Sequence, residues 1–312
     1  MATTTLIVNP EARGGWPKRK WPRLEPMLRN ALGPLEVVFT KATGDGRPLA
    51  RAAAARGARL VVGMGGDGTA SEVAAGLLEH LEGSHESEPT CAFGYLPCGT
   101  GGDLRRTLST PDTIEEAAKA IAASKGRLID AGRLDYTGND GKPQRGYFIN
   151  VASVGIGGLV DLYANRSSKA LGGKLSYFWA SFRATLKYRN AAVRVRLDDR
   201  PTREHRIYLV AVANGRYFGG GMHAAPTAVI DDGLLEVVLI GDLSFTEALQ
   251  LGRSIYKGEH LALPKVSCTR ARAVTIEPCD PGEHVLLDVD GETPGRLPAT
   301  WTVMPRSILF RG

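Results

Sequence analysis

The sequence predicts two kinds of fold in succession: an α/β region with a doubly wound, mainly parallel sheet, followed by a β-rich antiparallel sandwich or barrel. Three observations predict this. Over residues 1–127, short apolar strands alternate with helical stretches, the signature of βαβ units. From about Leu128 the texture changes to β-branched, alternating segments separated by turn signals. Within the first region, Val61-Val62-Gly63-Met64-Gly65-Gly66-Asp67-Gly68-Thr69 runs from a strand through a glycine turn into a helix, an arrangement that cradles phosphate on backbone N–H groups.

In chain order, residues 5–8 read as the first strand, and a helix is expected from Pro22 to Ala31. Residues 36–40 form strand two, after which Pro48 opens an alanine-rich helix that Gly57 stops. Strand three covers 59–62 and leads into the glycine loop. Thr69 and Glu72 stand at capping-box spacing, so the next helix is expected to start at Thr69. Residues 91–96 form strand four, and 112–123 another helix with Gly126 past its end. In the second region, strands are expected over 128–134, 147–152, 192–197, 207–213, 234–240, 273–277 and 284–289. Helices are expected over 174–187 and 244–255. Asp198-Asp199-Arg200-Pro201, Asp231-Asp232-Gly233 and Asp290-Gly291 are the turn signals.

At 312 residues with 43% hydrophobic content, the chain is long enough for roughly two packed domains. A net charge of +6 suits phosphate substrates, anionic membrane or nucleic acid, but no nucleic-acid module is present. Cys91, Cys98, Cys268 and Cys279 lack zinc or disulfide-framework spacing. The six histidines show neither metal spacing nor a triad. No apolar run reaches the roughly 18 residues that a spanning helix needs, and the start reads as a strand rather than a signal peptide. The expectation is a cytoplasmic protein, with peripheral contact at the inner membrane face left open. Two patches are candidates for that contact: the basic-aromatic cluster Trp16, Lys18, Arg19, Lys20, Trp21, and the stripe Leu175, Phe178, Trp179, Phe182, Leu186. Oligomeric state is left open, a dimer included.

The chemistry concentrates on Asp67, a carboxylate placed inside an anion site. A metal cation resolves that conflict, which points to a magnesium nucleotide and phosphoryl transfer. Gly63-x-Gly65-x-x-Gly68 also fits the dinucleotide fingerprint. Against that reading, the motif does not occupy the first βα turn, and Asp67 would face a pyrophosphate without a metal. The Walker lysine pattern is missing. A second glycine turn, Pro97-Cys98-Gly99-Thr100-Gly101-Gly102-Asp103, follows strand four. Ligands of open α/β sheets bind beyond the carboxyl ends of strands, so Asp67 and Asp103 are expected in one place, as a cradle for Mg²⁺.

Asn9-Pro10 with Gly14-Gly15, the GGDGTASEV and PCGTGGDLRRTL stretches, VANGRYFGGGMHAAPTAVIDDGLLEVVLI and the late VDGE together resemble the diacylglycerol-kinase catalytic family. Its members include bacterial soluble lipid kinases, related to sphingosine and ceramide kinases. The resemblance spans nearly the whole chain; GGDGT alone is shared with NAD kinases and phosphofructokinases. It implies a nucleotide-binding α/β domain over 1–127, completed by about 305–312, and an antiparallel sandwich domain over 128–304 that helps bind lipid, with ATP in the cleft between them. By motif match, Asn9, Pro10, Arg13, Thr40, Gly65, Gly66, Asp67, Gly68, Thr69, Glu72, Gly99 and Thr100 contact nucleotide. Asp67 and Asp103 hold the catalytic Mg²⁺ through water. Asp232, with the carbonyls of Val229 and Leu234, matches a second, structural Mg²⁺ site, and Glu292 falls where the family places its proton acceptor. Gly102 departs from the pattern, standing where many members have asparagine, and Arg13 stands where glycine is common. The activity implied is an ATP- and Mg²⁺-dependent lipid kinase acting on diacylglycerol or a sphingoid lipid such as ceramide. An NAD-kinase-like enzyme for a soluble substrate and a non-catalytic nucleotide-binding regulator are the alternatives.

Overall fold

A computed structural model describes residues 4–84, 86–160 and 187–312. The chain divides into two compact units: residues 1–131 with 305–312, and residues 132–304.

In the first unit, β1 (Thr4–Val8), β2 (Leu35–Phe39), β3 (Leu60–Gly65) and β4 (Ala92–Pro97) lie in the order β2-β1-β3-β4. Every pairing in this set is parallel, and residues 309–311 of the last strand, β15 (Gly295–Arg311), add a further parallel partner to β4. Helices α1 (Ala12–Leu32), α2 (Gly46–Ala55), α3 (Asp67–Ser84), α4 (Asp103–Leu108) and α5 (Ile114–Ala123) complete the unit. β3 is buried throughout, which explains its apolar run: a parallel strand covered on both faces has no polar side to show. Successive strands step from β1 outward to β2, then back to β3 and on to β4. The order therefore reverses between β1 and β3, the switch point of a doubly wound sheet.

The helix expected to start at Pro22 begins earlier. Arg13, Gly14 and Gly15 have left-handed backbone, and regular helix runs from there to Leu32 through Pro17, Pro22 and Pro26. Proline normally opens a helix because it lacks the N–H, but here burial of Leu24 and Leu28, with Trp16, Trp21, Met27 and Ala31 packed alongside, overrides that preference. Trp21 meets Phe39 edge-on at 5.0 Å. The basic-aromatic cluster lies on this helix, its tryptophans partly buried against the core while Lys18, Arg19 and Lys20 stay exposed. The short helix α4 was not foreseen, because Gly101 and Gly102 mask its start.

The second unit contains two antiparallel sheets. One pairs β15 with β13 (Ala273–Pro278), β13 with β8 (Ala191–Leu197) and β8 with β9 (Arg203–Ile207), and includes the hairpin of β5 (Arg127–Gly138) and β6 (Pro143–Phe148). The other runs β12 (Val266–Ala271), β11 (Leu235–Ile240), β10 (Leu209–Ala213), β7 (Val151–Gly155), β14 (Leu287–Val289). Val193, Val195, Val274, Ile276 and Trp301 from the first sheet share a core with Val154, Val210, Val212 and Leu287 from the second, which makes this a sandwich. The alternate residues Leu209, Ala211 and Ala213 of β10 enter another cluster that includes Leu251 of the helix Phe245–Ser254, so β10 is covered on both faces.

Three expected strands are redrawn. The segment 147–152 is two strands, β6 and β7, broken at Ile149-Asn150, and 207–213 is likewise β9 and β10, broken at Tyr208. The final strand, β15, starts at Gly295, well before the closing segment expected at about 305–312. The polar-rich β12 was missed; much of it is exposed, so it lacks an apolar stripe. The helix expected over 174–187, with its aromatic stripe, lies outside the described residues except for Lys187.

Trp301 is fully buried, and its indole Nε1 has no hydrogen-bond partner among the described residues. Trp301→Ala should cost about 3–5 kcal/mol in denaturant unfolding. Trp301→Phe should cost under about 1.5 kcal/mol, because removing an unsatisfied buried donor offsets part of the lost volume.

Candidate functional site

The residues expected to bind nucleotide sit at the carboxyl ends of the four parallel strands, where the direction of the sheet places every βα turn on one edge. Asn9 follows β1, Thr40 follows β2, the Gly65–Thr69 loop follows β3, and Gly99–Asp103 follows β4. Backbone bonds extend the sheet register into these turns: Asn9 N–H to the Met64 carbonyl (2.9 Å), Thr40 N–H to Val8 (2.9 Å) and Cys98 N–H to Gly65 (2.6 Å). The Asn9 and Gly65–Thr69 turns flank the switch point itself, and Asn9 Nδ2 donates to Thr69 Oγ1 at 3.2 Å. Asn9 Oδ1 accepts from Glu11 N–H, closing the turn that carries Pro10.

Two glycine loops are packed backbone to backbone. A Cβ on Gly99 would stand 2.6 Å from Gly66 Cα, and one on Gly101 would stand 2.8 Å from Asp67 Oδ2. By contrast, a Cβ on Gly68 would meet nothing within 4 Å, so no neighbour in the fold demands that glycine, and its backbone is open to a ligand. Asp67 joins the loops: Oδ2 accepts the Asp103 N–H at 3.0 Å and Oδ1 accepts the Tyr95 hydroxyl at 3.3 Å. Asp103, only 6% exposed, accepts from Arg106 Nη1 at 2.8 Å. Each carboxylate opens a helix, α3 and α4 respectively, where negative charge complements unpaired N–H groups.

Tyr95 was not foreseen, because an aromatic in mid-strand reads as core. Its hydroxyl is pushed well above its ordinary pKa by burial first and by the Asp67 charge second, so it remains a donor. Burial likewise raises the Cys98 thiol, with the nearby Arg13 charge opposing it. Arg13 has φ 48°, a strained backbone for a residue with a side chain, costing of order 1–3 kcal/mol. Arg105 pairs with Asp112 at 2.6 Å rather than standing ready for phosphate.

The capping-box expectation is corrected. α3 begins at Asp67, two residues before Thr69. Glu72 instead reaches the turn before α2, accepting from Gly44 N–H and Gly46 N–H at 2.8 Å each. It ties the second βα loop to α3.

Asp67 and Asp103 set two carboxylates beside a side-chain-free glycine cradle, the kind of oxygen donors a hydrated Mg²⁺ takes. Among the described residues no group of three or more His, Cys, Asp or Glu side chains is arranged to hold a metal, so water must complete such a coordination shell. The second expected metal site centres on Asp232. Asp232 Oδ1 accepts the Leu234 N–H at 3.0 Å, and Oδ2 lies 3.5 Å from Arg270 Nη1. The same guanidinium lies 3.7 Å from the buried Glu236 carboxylate and donates to the Thr227 carbonyl at 2.9 Å. An arginine thus stands beside this acidic turn, as Arg106 stands beside Asp103. Val229 is half-exposed at the start of the same turn.

Glu292 lies in the second unit on a two-residue turn. Asp290 (φ 49°) and Gly291 (φ 91°) are both left-handed, and Val289 and Glu292 exchange backbone bonds of 2.8 and 3.1 Å, as a type I′ hairpin requires.

Comparison with known proteins identifies the fold. The family description "Diacylglycerol kinase catalytic domain" matches residues 3–134, and "YegS C-terminal NAD kinase beta sandwich-like domain" matches 150–310. The chain belongs to the diacylglycerol-kinase catalytic family. It is 33% identical to a YegS-like protein of Xanthomonas euvesicatoria pv. vesicatoria named as a probable lipid kinase, over 85% of this chain and 84% of that one. It is also 33% identical to a diacylglycerol kinase of Mycobacterium tuberculosis, over 85% and 80%. The crystal structure of a diacylglycerol kinase from Bacillus anthracis str. Sterne shares the fold, with a TM-score of 0.71 at 22% identity over 99% of this chain and 96% of that one. An NAD kinase from Archaeoglobus fulgidus, solved in complex with ATP, shares it more distantly, with a TM-score of 0.50 at 14% identity over 96% and 89%. Family membership makes the chain a lipid kinase, a phosphotransferase, and a kinase implies ATP as co-substrate. The dinucleotide fingerprint is therefore coincidental. No helix among the described residues is long and apolar enough to cross a membrane.

If Arg270 supplies the positive charge at the Asp232 turn, exhaustive dialysis against EDTA should leave the unfolding midpoint unchanged. Arg270→Gln should cost about 1 kcal/mol or less, because Arg270 is part-exposed and Glu236 keeps the Thr227 hydroxyl at 2.6 Å. A midpoint that falls on chelation and recovers with Mg²⁺ in the wild type, but not in Asp232→Asn, would restore the structural metal.

Proposed function

We propose that the protein transfers the γ-phosphate of ATP, with Mg²⁺, to a hydroxyl group of diacylglycerol or of a sphingoid lipid such as ceramide. The observation that carries this reading is the joining of two glycine loops by Asp67, which sets two carboxylates beside open backbone N–H groups at a sheet switch point. When bound, Mg²⁺ neutralises charge that builds up on the transferring phosphoryl group. The residues supply positioning. Gly66, Gly68 and Gly99 let backbone approach phosphate, and Asn9 holds Thr69 so that the loop keeps one shape. Tyr95 fixes the rotamer of Asp67, and Arg106 balances the buried charge of Asp103. Arg13, Thr40 and Thr100 complete the proposed nucleotide set. Glu292 is exposed on its turn and takes the role of proton acceptor for the lipid hydroxyl, the family's position for that group. The lipid is met at a membrane surface, so contact with the inner leaflet belongs to the same proposal.

Incubating the protein with labelled ATP and diacylglycerol, ceramide, sphingosine or NAD tests the reading. Label in a lipid supports it. Label in NAD alone would overturn the lipid substrate, and label in none would favour a nucleotide-binding regulator. Asp67→Asn should lower kcat by about 10²–10³-fold with the fold intact, the scale of losing one electrostatic contact to the transferring group. Glu292→Gln should lower it by about 10²–10⁴-fold while ATP still binds, as judged by calorimetry.

A further inference from the structure

A carboxylate that the reading above leaves unused lies just before the Glu292 turn. Asp288 is 4% exposed, in a strand of only three residues. Burying a charged side chain costs several kcal/mol unless hydrogen bonds compensate, so its partners define what it does. Oδ1 accepts the N–H of Gly291 at 2.9 Å, and Oδ2 accepts the hydroxyl of Ser153 at 3.1 Å. Ser153 is itself fully buried and stands directly opposite Asp288 in the β7–β14 register. A Cβ on Gly157 would collide with the Ser153 hydroxyl, so the chain keeps glycine where the pair needs room.

The neighbouring Asp290 anchors the same turn from its other side. Its carboxylate accepts Val151 N–H at 3.0 Å and Ile149 N–H at 3.3 Å, and its own N–H donates to the Val151 carbonyl at 3.1 Å. One residue beyond Glu292, Thr293 gives its carbonyl to Asn139 Nδ2 at 3.2 Å. The backbone on both sides of Glu292 is thus tied to neighbouring strands and turns of the sandwich. A two-residue hairpin needs only its own cross-strand bonds and suitable φ angles to form. A buried carboxylate gripping its central N–H adds orientation that the turn does not require for folding.

We propose that Asp288, oriented by Ser153, is a positioning residue that fixes the direction in which the Asp290-Gly291 turn presents Glu292. The inference rests on the proposed role of Glu292 as proton acceptor. Asp288 acts through the Gly291 N–H and touches neither nucleotide nor lipid. Asp288→Asn keeps the shape while replacing one charged acceptor oxygen with an amide, weakening its hold on Gly291 or Ser153. Ser153→Ala removes the partner that sets the carboxylate rotamer, and Ser153→Thr restores a hydroxyl.

The test measures kcat, the KM for ATP and the unfolding midpoint of the full-length protein with the lipid acceptor identified above. Asp288→Asn should lower kcat about 10- to 100-fold, the usual scale for partners that orient a functional group, with KM for ATP unchanged. Ser153→Ala should lose less, and Ser153→Thr should recover most of that loss. In the Glu292→Gln background, Asp288→Asn should cost almost nothing further, because residues acting as one unit are non-additive. An Asp288→Asn enzyme with unchanged kcat overturns the inference, as does a loss that persists in full without the Glu292 carboxylate. If Asp288→Asn unfolds, the Ser153 pair carries the same comparison. Wild-type protein that transfers label to no acceptor overturns the parent reading, and this inference with it. Turnover by the wild type that is indifferent to both positions removes the inference alone.

Discussion

One hydrogen bond organises the first unit: the carboxylate of Asp67 accepting the backbone N–H of Asp103. It joins the loop after β3 to the loop after β4, and the contact between Gly66 and Gly99 leaves no room for a side chain on Gly99. The consequence is geometric. Two helices then start within one hydrogen bond of each other, so their N-termini and their two carboxylates share one edge of the sheet. Tyr95 protects the arrangement from below, since burial holds its hydroxyl protonated and therefore a donor to Asp67.

The second unit solves a different problem. A sandwich buries apolar faces well but orients an exposed acidic side chain poorly. Here the turn bearing Glu292 is tied down by Asp288, Asp290 and Thr293, each bonded to a neighbouring strand or loop. Elsewhere in the same unit, acidic groups are neutralised by an arginine: Arg270 serves Asp232 and Glu236 together. Buried or half-buried carboxylates thus meet two fates in this sandwich, support of a turn or charge balance. The distinction follows from which donors stand opposite them in the register.

Local sequence was informative where one segment carries the whole signal. The glycine turns after β3 and β4 announce themselves because glycine, threonine and aspartate at a strand end have few other uses. Asp290-Gly291 reads as a tight turn because aspartate and glycine tolerate left-handed backbone. Sequence failed where a partner comes from afar. Glu72 matches a local capping box, yet its carboxylate binds N–H groups near residue 45, and no window of sequence contains both. Pro22 looks like a helix start until the burial of Leu24 and Leu28 pulls the preceding turn into the same helix.

The sequence by itself determined the alternation of strands and helices in the first unit, the change of fold near residue 130, the two glycine turns and the family resemblance. These follow from periodicity, turn chemistry and motif order, which are properties of contiguous residues. Tertiary structure alone decided that Asp67 and Asp103 touch, that Tyr95 belongs with them, that Arg270 stands at the Asp232 turn and that Asp288 grips the turn of Glu292. Each of these is a contact between residues far apart in sequence or in different strands. Such contacts depend on sheet order and register, and a one-residue slip in register would turn Ser153 away from Asp288.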